Sequence, residues 1–456
     1  MRLKKKNIYE ILYSTNTDFL FNYFDFLNKI NLYHCDELLK KKFLTKVQFI
    51  KIKKQARYLS KKDYKPLIKK IYKRGYYFEF ENYFKRKCGT DIAGKMHIGR
   101  SRNEIDSCIS RLLMKRNLSS FCKNVINITT TLVNNFSENS NYFPYYTQNQ
   151  PASFVRVNHY FNNIIFTLYE YLDKIFSSNS SINHSPLGSC GLNGSDFNLN
   201  YKKISRKLNF KFMEKNSIKS VSDYEYLIYY INLSNIIITK LSRMFHDFIF
   251  FQSYEINYIK LSKKYSGKSS YFPHKSNPYL IEKCLSLSNE LNNYNNLISN
   301  GLRKTINSNS FEFKNLIYQS YNFFDKFSDF INISKKILDN THFNEKILDN
   351  KYYDFLYLTT IQNQMIKFDK SLNLRSVNNE INKIYKKNND LSDVILYVKK
   401  KYSKIFKNLN IYKIRKNKNK FQKFGYGSND KKARFDRKYH YKKINLFLKR
   451  IEKLQN

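Results

Sequence analysis

Between Glu225 and Phe251, residues Leu227, Ile231, Ser234, Ile238, Leu241, Phe245 and Phe248 fall at alternating spacings of four and three. On a 3.6-residue turn that spacing is one stripe, so the segment is predicted to be a long helix with a face to bury. Similar apolar periodicity runs through 109–136, 154–176 and 280–300, whereas the alternation of a half-buried strand is rare. Turn-forming residues gather at 141–153, 184–200 and 264–278. Long helices with few breaks predict an all-α chain built as an elongated central helical bundle, with any site carried on loops at the bundle's ends.

At 456 residues and 42% hydrophobic the chain can bury a large core and fill two or three domains, and it is not a disordered protein. The division expected is 1–90 as an N-terminal helical domain, 91–345 as the central bundle and 346–456 as a small C-terminal helical domain with a basic tail. That tail, from Lys399 to Asn456, is lysine-dense and interrupted by Gly425-Tyr426-Gly427-Ser428. An appended domain and a partly disordered basic tail are both open readings of it.

A formal net charge of +46 would ordinarily point to a polyanionic partner. Lys, Asn, Ile, Tyr and Phe crowd the chain, however, while Trp is absent and only 11 Gly and 6 Pro occur, the usage of an AT-rich genome. Arginine-rich clusters, a compact basic and aromatic module and zinc-type Cys/His spacing are missing, so no specific nucleic-acid partner is expected. The six cysteines show no CxxC pairing, which suggests neither a disulfide framework nor a metal site and fits a reducing cytoplasm. Met1-Arg2-Leu3-Lys4-Lys5-Lys6 is basic but is not followed by the apolar core of a secretory signal. No uninterrupted apolar run reaches about 18 residues, so no membrane span is expected.

Chemistry concentrates in Ser266-Gly267-Lys268-Ser269-Ser270-Tyr271-Phe272-Pro273-His274-Lys275-Ser276-Asn277-Pro278, which sets serines, a lysine and an asparagine on a loop closed by two prolines. It resembles the Gly-Ser-Ser-x-x-Pro-x-Lys-x-Asn-Pro loop of the fumarase/aspartase superfamily of elimination enzymes, with Lys268 in place of the glycine. Asp91 to Glu104, which contains Gly94-Lys95-Met96-His97-Ile98-Gly99-Arg100-Ser101-Arg102-Asn103, is similar to the argininosuccinate lyase pattern Gly-Lys-Leu-His-Thr-Gly-Arg-Ser-Arg-Asn-Asp. Ser185 to Gly194 resembles that family's Pro-Leu-Gly-x-Gly-x-Leu-x-Gly, with Cys190 shifted into the small-residue run. Asn216-Ser217 and Val221-Ser222-Asp223 resemble its Asn-Ser-x-x-x-Val-Ser-Asp, and the Gly425 cluster stands where the family has a Gly-Gly-Pro turn.

The resemblance implies a fumarase/aspartase-like helical fold, a homotetramer with a central bundle, and β-elimination that releases fumarate from a dicarboxylate bearing a nitrogen leaving group. It requires no cofactor and no metal. Such a reaction needs a base, a clamp for developing negative charge, and help for the departing nitrogen. Ser269 matches the family's base, and a serine serves only if cations and backbone N–H groups stabilise its alkoxide. Lys275 is placed to neutralise the aci-carboxylate and Asn277 to hold a carboxylate oxygen. Outside the motif Lys275 would read as a solvated surface charge.

Ser101 and Asn103 match positions that hold substrate, with Arg100 and Arg102 beside them as anion partners; Arg-Ser-Arg-Asn alone would read as a helix start with exposed arginines. His97 is open between a ligand contact and a packing histidine. Glu282 matches a carboxylate that pairs with a catalytic histidine, and otherwise reads as an exposed helix glutamate. Residues 264–278 are expected to act as a lid over bound dicarboxylate, with Lys268 unfavourable if its position needs positive φ.

The departure lies in Tyr146-Thr147-Gln148-Asn149-Gln150-Pro151-Ala152. The family commonly reads Thr-His-x-Gln-x-Ala-Gln-Pro with a later histidine, and Thr147, Gln150, Ala152 and His159 match. Gln148 stands where the catalytic histidine is expected, and an amide hydrogen-bonds but does not shuttle protons near neutral pH. Lys304 to Glu312 also lacks the Tyr-Asn-Arg-Asp-Leu-Gln-Glu pattern, which opens the nitrogen side of the substrate. Three readings follow: a working lyase of the argininosuccinate lyase type, a catalytically impaired homologue with a structural or partner role, and a lyase for another N-succinyl substrate. Adenylosuccinate lyase, prompted by Pro273-His274-Lys275, is opposed by Gly94 to Asn103.

Overall fold

A computed structural model of the protein describes residues 16–68, 75–178, 181–344, 351–403, 414, 425–431 and 434–455. The basic N-terminal hexapeptide and, in the lysine-dense tail, 404–413 and 415–424 lie outside the described residues.

The chain opens with α1 (Thr17–Lys40), capped by Asn16, whose side chain accepts from the Phe19 N–H at 2.9 Å. α2 (Lys46–Lys61) begins with a capping box in which Thr45 and Gln48 satisfy each other's backbone N–H groups. The short α3 (Lys65–Ile68), α4 (Tyr76–Cys88) and α5 (Thr90–Lys95) lead to α6 (Arg102–Phe136), which is 35 residues long. At about 1.5 Å per residue α6 spans roughly 52 Å.

A hairpin of β1 (Tyr142–Thr147) and β2 (Gln150–Arg156) follows, then α7 (Val157–Ser177). An irregular stretch comes next, with β3 (His184–Ser185) and β4 (Phe212–Met213) paired in parallel around α8 (Tyr201–Lys207), and then α9 (Ser217–Ser222). The predicted long helix is α10 (Glu225–Phe251); Leu227, Ile231, Ser234, Ile238, Leu241, Phe245 and Phe248 are all buried. β5 (Ile259–Leu261) and the small ladder of β6 (Gly267–Lys268) with β7 (Ser276–Asn277) precede α11 (Tyr279–Arg303) and α12 (Glu312–Asp339). β8 (Thr341–Phe343) pairs with β5. The predicted turn regions at 141–153 and 264–278 therefore each contain a hairpin. Aromatic runs such as Tyr142 to Tyr146 suit a pleated surface and supply the strands there.

Three of the long helices run the same way. Asn124 Nδ2 of α6 donates to Ser328 Oγ of α12 at 3.0 Å, and further along Asn135 Nδ2 donates to Leu338 O at 3.2 Å. α10 starts beside the first turns of α6, where Ser110 Oγ and Tyr226 OH lie 2.6 Å apart, and ends against the hairpin, where Phe251 meets Phe143. α7 and α11 run back: Phe136 stacks on Phe161 at 3.9 Å between ring centroids, and Cys284 Sγ of α11 lies 3.4 Å from Ser334 Oγ near the end of α12. The bundle thus has two distinguishable ends, one at the N-terminus of α6 and one at its C-terminus.

One hydrophobic core joins α1 to α12, apart from the short α9, and also takes in Ile444, Phe447 and Ile451 of α16 (Arg437–Gln455), which packs along α6 and α7. A second core, centred on Ile361, Val377, Val394 and Val398, is built by α13 (Leu358–Phe368), α14 (Leu374–Asn388) and α15 (Leu391–Lys401). Among the described residues no helix is long and apolar enough to cross a membrane.

Candidate active site

The first cluster sits where α6 begins. Ser101 is the N-cap: its Oγ accepts from the Asn103 N–H at 3.3 Å, and Glu104 Oε1 accepts from the Ser101 N–H at 3.4 Å. Arg-Ser-Arg-Asn is therefore a helix start, but its arginines are not exposed: Arg100 is buried and Arg102 half-buried. The caps fix the direction in which Ser101 and Asn103 face. Asn103 Nδ2 donates to Gly191 O at 3.5 Å and its Oδ1 accepts from Asn309 Nδ2 at 2.8 Å. Arg102 stacks its guanidinium 4.6 Å from the centroid of Phe78, and buried Arg100 donates to Asn31 Oδ1.

Glu104, to which the sequence motif gives no role, organises this end. It is fully buried, and its Oε2 accepts from the backbone N–H groups of Gly188 at 2.7 Å and Cys190 at 2.8 Å. Gly188 has φ +99° and Cys190 φ 52°, so the carboxylate holds a loop wound through the left-handed region. Burial pushes its acid up to about 7, against the three N–H donors and Arg100, which favour the ionised form. Ser217 Oγ donates to Leu192 O at 2.5 Å, and Ser107 Oγ to Ser220 O at 2.6 Å. The segments 94–104, 185–194 and 216–223 are thereby joined at one end of the bundle. The Ser-x-x-Glu spacing of a capping box was the available signal for Glu104; nothing local announced Asn309.

His97 lies close by, half-buried, with Nδ1 2.5 Å from Tyr77 OH. Burial first, and then the Arg100 guanidinium, hold its pKa down to about 4, so the ring is neutral near pH 7.

The remaining residues are at the far end. Thr147, Gln148, Asn149 and Gln150 form the exposed tip of the β1–β2 hairpin, with φ of 51° at Gln148 and 57° at Asn149. Two successive positive φ values match the two-residue turn that best fits strand twist; Asn tolerates this conformation, whereas for Gln148 it is strained. His159 sits half-buried in the first turn of α7, where burial lowers its pKa. Within one chain His97 cannot substitute at Gln148, since α6 separates them.

At the same end, β6 and β7 pair Gly267 with Asn277 and Lys268 with Ser276, closing the loop 269–275. Ser269 Oγ accepts from the N–H groups of Tyr271 at 3.2 Å and Phe272 at 2.9 Å. Two such donors favour negative charge on that oxygen. Lys275 is exposed, Asn277 is half-buried, and Glu282 is exposed in the first turn of α11, where a carboxylate complements the helix dipole. A Cβ at Gly267 would overlap the Tyr279 ring, so glycine is required there by close approach. Lys268 is in β6 and does not have positive φ, so the expected strain at that position is absent. Among the described residues no group of three or more His, Cys, Asp or Glu could hold a metal ion.

A parallel-and-antiparallel bundle of long helices bearing such loops at both ends is the fold of the fumarase/aspartase lyases. The lyase family profile matches residues 44–290, more than half of the chain and all of the segments above, and the chain belongs to that family as an argininosuccinate lyase-like member of the superfamily. It is 32% identical over 195 residues to the probable argininosuccinate lyase of Schizosaccharomyces pombe, covering 42% of each protein. It is 28% identical over 240 residues to the argininosuccinate lyase of Buchnera aphidicola subsp. Cinara cedri, covering 52% of each. These alignments span about half the length of the curated relatives. An EDDS lyase variant with bound fumarate has the same fold, with a TM-score of 0.76 at 17% identity, covering 99% of this chain and 91% of that one. A class II fumarase from Schistosoma mansoni has a TM-score of 0.61 at 14% identity, covering 81% and 89%.

Proposed function

We propose that the protein is a C–N lyase of the argininosuccinate lyase type, cleaving argininosuccinate to arginine and fumarate in the cytoplasm as a step of arginine biosynthesis. The observation that carries this reading is Ser269: in an exposed loop that also presents Lys275, its Oγ receives two backbone N–H groups. As base, Ser269 removes the proton beside the substrate carboxylate. Lys275 neutralises the charge that moves onto that carboxylate, and Asn277 hydrogen-bonds it. The C–N electron pair then leaves with the nitrogen, which needs a proton. Ser101, Arg102, Asn103, Thr147 and His97 bind the substrate, His97 as a neutral ring at pH 7. Glu282 would orient a group at position 148.

The separation of these groups supports a site shared between chains. Ser101 and Ser269 stand at opposite ends of a helix of roughly 52 Å, far beyond the reach of one small dicarboxylate. We infer that the site is completed between copies of the chain, in a homotetramer whose parallel helices meet those of its partners head to tail. Gln148 favours a second reading, a catalytically impaired homologue, because an amide at the hairpin tip supplies no proton near neutral pH.

The test is to incubate purified full-length protein with argininosuccinate and follow fumarate absorbance. Turnover that Ser269→Ala abolishes, with fold and substrate binding intact, is the expected result. Turnover retained by Ser269→Ala would remove that serine from its role, and silence of the parent would favour the impaired homologue or a different N-succinyl substrate.

A further inference from the structure

About four turns along α6 from Ser101, a cleft of about 360 Å³ opens between α1, α6 and the end of α8. Phe26, Tyr33, Leu112 and Leu208 form its apolar wall, and four cations, Lys29, Lys115, Arg116 and Lys207, line it together with one carboxylate, Asp25. Two of the lysines are paired, Lys29 with that Asp25 at 2.7 Å and Lys207 with Asp36 at 2.8 Å. Lys115 is not. It is only 7% exposed, donates once to Asn209 O at 2.8 Å and lies 4.4 Å from the centroid of Phe210, with no carboxylate in ion-pair range among the described residues. An ammonium has three donors, so a nearly buried cation here keeps hydrogen-bonding capacity and charge uncompensated. Burial, with a smaller contribution from Lys211, holds its pKa down to about 8, so it is still largely charged at neutral pH. Arg116, exposed beside it, likewise has no ion-pair partner among the described residues.

We propose that this cleft is a binding site for a small organic oxyanion, whose charged head pairs with Lys115 and Arg116 while an apolar or aromatic body lies against Phe26, Tyr33 and Leu208. Its volume suits a ligand of that size, and mixed lining of this kind is what such ligands require. A phosphate monoester and a carboxylate share this chemistry. Both are tested by using phenyl phosphate and benzoate as probes, titrated into the full-length protein at fixed ionic strength and followed by calorimetry.

The expected result is saturable binding of at least one probe with one site per chain, weakened at least about tenfold by Lys115→Met, which keeps the alkyl stem and drops the charge. Arg116→Ser, at an exposed position that leaves the fold alone, should weaken binding in the same direction. Lys123→Gln, at an exposed lysine further along α6, should leave it unchanged. Preference for phenyl phosphate identifies a phosphate ligand, and preference for benzoate a carboxylate. The proposal is overturned if neither probe binds below millimolar concentration. It is equally overturned if the three substitutions weaken binding alike, which would mean that only the overall charge of +46 is being read, or if Lys115→Met and Arg116→Ser both bind as the parent does.

Discussion

Removing the Glu104 carboxylate should uncouple the start of α6 from the loop that crosses it. In Glu104→Ala the N–H groups of Gly188 and Cys190, held at 2.7 and 2.8 Å, lose that acceptor, and the longer bond to Ser101 N–H goes with them. Orphaning a buried donor costs about 1–3 kcal/mol, so two firm bonds and one weak one amount to about 2–5 kcal/mol, with relief of the buried carboxylate's own desolvation on the other side. That is a large part of an ordinary stability of about 5–15 kcal/mol. Amide hydrogen exchange reads the effect where it arises: protection at Gly188 and Cys190 should collapse, while the amides of Tyr271 and Phe272 at the other end keep their rates. Fumarate release should fall together with that protection, because the cap that aims Ser101 and Asn103 is lost. Glu104→Gln keeps one acceptor oxygen and the shape, and should cost about half as much. Unchanged protection at Gly188 and Cys190 in the alanine variant, or a glutamine variant as damaged as the alanine one, would refute the reasoning.

Gln148→His should raise fumarate release by about 10²–10⁴-fold, the usual contribution of a positioned acid or base; a soluble, correctly assembled variant no faster than the parent on argininosuccinate would sink that expectation. Because burial raises the Glu104 acid from its ordinary 4.5 to about 7, the folded state binds more protons than the unfolded one between those values. Stability should therefore fall as pH rises from about 4.5 to about 7 and stay lower above it; Glu104→Gln should flatten that window in urea titrations at fixed ionic strength. Static light scattering alongside the fumarate assay should find activity only in the tetramer, and an active monomer would dismiss the composite site.

The helices were legible because burial imposes their period: the stripe from Leu227 to Phe248 was written for one face, and that face is buried. The hairpin at 142–156 is visible in the sequence only as turn chemistry at 141–153, where Asn141, Pro144, Asn149 and Pro151 outweigh the strand character of Tyr142 to Tyr146, and the last residues of β2 fall inside the helical periodicity of 154–176. Motif spacing singles out individual candidate residues, but spacing along a chain does not say at which end of a bundle a loop emerges. The bonds from Glu104 to Gly188 and Cys190, and from Asn103 to Asn309, join residues remote in sequence and needed coordinates. Lys115 was hidden for the opposite reason: in a chain with 82 Lys and Arg, one lysine of special environment looks like every other.

The length of α6 has a genetic consequence. If each site takes Ser101 from one copy and Ser269 from another, a Ser101→Ala chain and a Ser269→Ala chain each spoil every site of their own assemblies. In a mixed assembly, however, some sites draw both halves from the intact ends, while others collect both defects. Two inactive proteins, unfolded and refolded together, should thus regain a fraction of parental activity that neither has alone, and two lesions at the same end of α6 should not rescue each other. In such an assembly the half-site, rather than the chain, would be the unit that complements.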